Sequence, residues 1–128
     1  MFTIDSSKTI CITRGDVAVI EVGAIESSGE SAGEAYVFQE GDVVRFTVVE
    51  KNRYDSIVLD KRVVAKEGTT AVEIQLTSED TRIGDLIHKP KDFWYDIELN
   101  PDTAPQTIVG YDNSGPKIFR LFPEGDDN

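Results

Sequence analysis

Hydrophobic positions recur at every second residue over several short stretches of the chain. Val72, Ile74 and Leu76 share one phase and Glu73 and Gln75 the other, which is the period of a half-buried strand. Downstream, Phe93, Tyr95, Ile97 and Leu99 fall on one face and Trp94, Asp96 and Glu98 on the opposite one. Two earlier stretches echo each other. Gly15 to Val22 and Gly41 to Val48 both open on Gly-Asp, and aligning them matches Ala18, Ile20 and Val22 with Val44, Phe46 and Val48 as core positions. The Gly-Asp pair predicts a turn before each strand, because Gly tolerates positive φ and the Asp carboxylate bonds nearby backbone. Further strands are predicted over Ser56 to Ala65, Gln106 to Tyr111 and Lys117 to Phe122. The turn-rich Asp112-Asn113-Ser114-Gly115-Pro116 between the last two predicts a hairpin.

Helical signal is confined to Thr77-Ser78-Glu79-Asp80. A Thr with an acid three residues on resembles a capping box and predicts at most one short helical turn near 78–82. Short strands with turn residues between them predict an all-β protein, a single antiparallel β-sandwich over residues 1–128, with a barrel as the competing architecture. Residues 23–35 are small, acidic and poor in core formers, so a mobile acidic loop is expected there. The C-terminal Glu124-Gly125-Asp126-Asp127-Asn128 reads as a short polar tail.

Composition narrows the function classes. The 128 residues carry 24 Asp and Glu against 13 Lys and Arg, a formal net charge of −11. Such a surface repels nucleic acid and anionic membranes, so neither is expected as a partner. The charge is also polarised along the chain. Asp16 to Asp42 holds seven acids and no Lys or Arg, whereas Arg45, Lys51, Arg53, Lys61, Arg62 and Lys66 crowd the next stretch. Solvated strand faces are the plain explanation, and packing of an acidic edge against a basic one is the sharper one. The N-terminus shows neither a basic start nor an apolar run, so no secretion signal or membrane span is expected. The single Cys11 precludes an internal disulfide and, beside Ile10 and Ile12, is expected as a small buried hydrophobe.

Candidate chemistry is sparse. The only imidazole, His88, precedes Lys89-Pro90 and is expected in an exposed loop, with no Gly-x-Ser-x-Gly turn to supply a nucleophile. No Cys or His pair has zinc spacing, and no acidic run has the ligand pattern of an EF-hand. No cofactor or metal is expected. Asp96 and Glu98 share a strand face, so a two-carboxylate hydrolase is the remaining enzyme reading. Arg14-Gly15-Asp16 matches an integrin-binding tripeptide but sits where a turn enters a buried strand. Trp94 faces away from Tyr95 and suits loop packing, a protein interface or sugar stacking. Tyr95 suits a corner tyrosine.

Thr13-Arg14-Gly15-Asp16, the stretch Gln39 to Val48, Leu76-Thr77 with Asp80-Thr81, and Phe93 to Leu99 together resemble the N-terminal domain of baseplate upper proteins and small prophage tail proteins of Gram-positive bacteria. The resemblance spans most of residues 10–122. It implies an immunoglobulin-like sandwich without enzymatic activity that joins other phage tail or baseplate proteins, made in the bacterial cytoplasm and then carried on the virion. On that reading Trp94, Tyr36 and Tyr54 are candidate apolar anchors, and Arg45, Arg53, Lys61 and Arg62 candidate contacts to the acidic stretch of a neighbour, a homo-oligomer included. The alternative is a carbohydrate-binding or adhesin-type module that uses Trp94 and Tyr54 to hold a glycan.

Overall fold

The computed structural model describes residues 2–4, 9–24, 34–51, 53–84, 86–110 and 115–124. These form strands Phe2–Ile4 (β1), Ile10–Thr13 (β2), Ala18–Val22 (β3), Val43–Glu50 (β4), Arg53–Val64 (β5), Val72–Leu76 (β6), Lys91–Leu99 (β7), Gln106–Val109 (β8) and Lys117–Phe122 (β9). The large sheet runs β1-β2-β9-β7-β4-β5, with β8 also on β7, and the small sheet is β3-β6 alone. The all-β expectation holds, and no helix forms among the described residues.

The alternation seen in the sequence decides which residues the sheets bury. Ala18, Ile20 and Val22 of β3 and Val72, Ile74 and Leu76 of β6 face Ile10, Ile12, Val44, Phe46, Val48, Phe93, Tyr95, Ile97, Leu99, Phe119 and Leu121 of the large sheet in one cluster. Fully burying each Val, Ile, Leu or Phe among them contributes about 1.5–3 kcal/mol. Phe46 anchors the middle, its ring centroid 5.7 Å from Tyr95 and 6.2 Å from Phe119.

Three expectations require correction. First, β8 and β9 form no hairpin. Both lie on the same side of β7, with Leu99 opposite Gln106, Ile97 opposite Val109, Tyr95 opposite Lys117 and Lys91 opposite Leu121. They lie end to end along β7, and residues 111–114 between them lie outside the described residues. Just after β8, a Cβ on Gly110 would come within 2.7 Å of the Thr107 Cγ2 atom. Second, the sheet is not purely antiparallel, because β2 runs parallel to β9, pairing Ile10 with Phe119 and Ile12 with Leu121. Third, Cys11 is half-buried and lies outside the core. Ile10 and Ile12 take the inner face, so the residue between them must take the outer one.

The short turn is present as four turn residues, 78–81. Its capping bonds are reciprocal: the Asp80 amide donates to Thr77 Oγ1 at 3.1 Å and the Thr77 amide to Asp80 Oδ2 at 2.9 Å. Residues 25–33, most of the acidic loop expected at 23–35, and the tail residues 125–128 lie outside the described residues. The stem of that loop is held where the Tyr36 amide donates to the Ala24 carbonyl at 2.9 Å.

Candidate interaction surfaces

The large sheet turns Trp94, Asp96 and Glu98 outward, and strand register fixes their neighbours. Trp94 stands between Ile118 and Val49, and Val49 in turn faces Ile57. This gives an apolar row across four strands, half-buried at Trp94, buried at Val49 and 50% exposed at Ile57. The next row places Asp96 opposite Thr47 and Thr47 opposite Asp60; beyond it, Glu98 faces Arg45 and Arg45 faces Arg62. Burial pushes the Asp96 carboxyl above its ordinary value, Glu98 adds to the effect and Arg45 opposes it. Asp96 Oδ1 and Thr47 Oγ1 are both buried without a hydrogen-bond partner among the described residues.

Three of the four candidate cations are engaged within the chain. Arg45 opposes Arg62 across the β4–β5 ladder, a like-charge pairing that is unfavourable by itself. Asp60 relieves it by accepting two bonds from Arg45, at 2.9 and 2.7 Å, while Arg62 pairs with Asp102. Those bonds from Arg45 hold the Asp60 carboxyl below its ordinary value in spite of partial burial. Lys61 lies on the core phase of β5, opposite Phe46, and reaches the capping-box Asp80 at 2.9 Å. The acids that meet Arg45, Lys61 and Arg62 are thus Asp60, Asp80 and Asp102, none of them from the Asp16 to Asp42 run. The side chains of Arg53 and Tyr54 lie outside the described residues.

Tyr36 is half-buried, its ring edge-on to Phe38 at 5.4 Å, and its hydroxyl donates to Asp42 Oδ2 at 2.6 Å. Asp42 also accepts from the Gln39 amide at 2.8 Å and from Asn100 Nδ2 at 2.9 Å. Burial pushes the Asp42 carboxyl up, but the bonds from Asn100, Tyr36 and Gln39 together outweigh it and hold the group below its ordinary value. Asn100 ties this knot to the sheet end, with its Oδ1 accepting from the Val43 amide at 2.9 Å and its φ at 50°. Asn before Pro101 at a strand end was the available signal for that role, since Asn is favoured where the backbone turns left-handed.

The Arg14-Gly15-Asp16 tripeptide is a structural turn. Gly15 has φ +90°, its amide donates to Thr81 Oγ1 at 3.0 Å, and the Thr81 hydroxyl donates to the Asp16 carbonyl at 2.7 Å. Arg14 is drawn to Glu124 at 3.1 Å. His88 is exposed, as expected. Tyr95 packs on Phe46 and lines an apolar cavity of about 150 Å³ between the sheets with Ile10, Ile20, Val22, Ile97 and Val109, and Glu21 and Gly23 at its margin. Asp96 and Glu98 lie on the outer face and do not line this cavity.

Beside the cavity, β3 pairs with β6 on one side and has no described strand on the other. Its outward residues leave Val19 46% exposed, and Glu21 faces Glu73 directly across the β3–β6 ladder. Comparison with protein-family models, curated proteins and solved structures gives no match.

Proposed function

We propose that this chain is a non-enzymatic structural or adaptor protein of a phage or prophage tail or baseplate, acting through protein–protein assembly. The observation that carries the assembly part is the way the polar groups are used. Arg14, Arg45, Lys61, Arg62 and Asp42 hold the chain's own segments together, and among the described residues β3 has no strand on its side away from β6, beside an apolar cavity. Sheet edges and apolar recesses are features that proteins use to bind one another.

Strand order supports the immunoglobulin-like part of the reading. In a variable-type immunoglobulin sandwich one sheet continues G-F-C-C′, while B and E lie side by side in the other. The order β9-β7-β4-β5 opposite β3-β6 follows that plan, with β3 as B and β6 as E. The tail assignment itself rests on the sequence resemblance.

The test is to tag the chain in a lysogenic host, induce the prophage and fractionate the particles. The tagged chain is expected to sediment with tails, and its absence from every tail-bearing fraction would overturn the reading. The half-buried Trp94 in its apolar row keeps a glycan-binding module as the second reading. Saturable, sugar-dependent quenching of the single Trp would favour it.

A further inference from the structure

The two sheets are unequal, seven strands against two, so that among the described strands both β3 and β6 are edges of the small sheet. In an immunoglobulin-like sandwich the sheet holding B and E also carries a strand A beside B. Here the N-terminal strands lie in the large sheet instead, β2 running parallel to β9, and no described strand occupies the side of β3 away from β6. The cavity opens at this place, with Ile20 and Val22 of β3 forming one wall and Tyr95, Ile97 and Val109 the other. Its volume of about 150 Å³ is comparable to cavities that hold a benzene-sized group.

We propose that the free edge of β3 accepts an added strand from a partner protein, an extended segment in which Lys or Arg alternates with apolar residues. A strand laid against Ala18–Val22 orients its side chains in step with those of β3. Side chains beside Ile20 and Val22 enter the apolar cavity, and those beside Val19 and Glu21 emerge on the outer face. There Glu21 and Glu73 stand opposite each other, a like-charge pair that a neighbouring cation relieves. Charge also selects among occupants. Pairing β3 with β3 of a second copy would gather two Glu21 and two Glu73 in one four-stranded sheet and bring together two chains of net charge −11, whereas a cationic segment is attracted.

This inference rests on the assembly reading for its claim that the occupant is a protein segment. The probe is a synthetic peptide of about nine residues in which Lys alternates with Val and Ile, compared with an isomer carrying the same residues with all Lys at one end. Binding is followed by calorimetry and amide chemical shifts at about 0.15 M salt, where long-range attraction is screened. The alternating peptide is expected to bind at least about tenfold more tightly than the isomer, with the largest shifts in residues 18–22. Glu21→Lys, an exposed change, and Val109→Trp, which fills the cavity without altering charge, are each expected to weaken it by about tenfold or more. Equal binding of both peptides, shifts centred away from β3, or dimers of the free protein that bury the same edge would each overturn the proposal. If the acceptor fails while the tagged chain still sediments with tails, the assembly reading stands and only this site is lost.

Discussion

Two of the described edges have opposite character, β5 in the large sheet and β3 in the small one. The β5 edge is long, twelve residues, and well guarded. Its pairing with β4 shifts register between Val48 and Val49 and again between Val49 and Glu50. It also places Lys61 on the core phase, where it is tied to Asp80. Bulges and inward-pointing charges are the devices that stop a strand edge from pairing with another chain. By contrast, β3 is five residues of regular alternation, paired without a shift to β6 and free of Lys, Arg and Pro. Its only guards are shortness and Glu21. The difference shows that β5 carries blocking devices that β3 lacks.

The two edges are also held differently, and perturbations should separate them. The largest effect is expected from Ile20→Ala. Ile20 is 2% exposed and fixes β3 to the core, so its truncation should cost about 2–5 kcal/mol in urea unfolding. A loss under about 1 kcal/mol would mean that β3 is not anchored by the core in the way described.

A middle effect is expected from Thr81→Val. Thr81 is fully buried, and its hydroxyl joins the Gly15 amide to the Asp16 carbonyl just before β3. The substitution keeps the volume and strands both backbone groups, which should cost about 1–3 kcal/mol. The same unfolding measurement reads it.

The smallest is expected at β5 from Arg45→Met, which removes the bidentate pair with Asp60. Such partly exposed pairs contribute about 0.2–1 kcal/mol. Asp60 is held below its ordinary value by Arg45, so its contribution is complete above the ordinary carboxylate range and is lost as pH falls through the lowered value. Wild type and variant should therefore differ at neutral pH and converge in acid. A difference that grows on acidification would contradict the assignment.

Much of this architecture was legible in the sequence because period-2 alternation is local. The core phases of Ala18–Val22, Val72–Leu76 and Phe93–Leu99 follow directly from it, and the Thr77/Asp80 capping pair follows from an equally local three-residue spacing. Long-range pairing has no such local signature. The parallel contact of β2 with β9 and the alignment of β8 and β9 on β7 depend on which strands meet, and Asp112 to Pro116 carries turn chemistry in either case. Cys11 shows phase overruling residue type. Charge grouped by chain order suggested a neighbour's acids for Arg45, Lys61 and Arg62, but strand register and the nearby 77–81 and 100–104 turns supply acids from within the chain. That β3 has no described strand on one side was hidden for the same reason, since a strand's period does not show how many neighbours it has.

Amide hydrogen exchange in the free protein, comparing β3 with its partner β6, tests the openness of the β3 edge most directly. Within Ala18–Val22, amides directed to β6 should be protected, and the alternate amides directed to the open edge should exchange at rates near those of an unstructured chain. Strong and equal protection of both sets would show that the edge is already occupied and would contradict a β3 that is open to a partner strand.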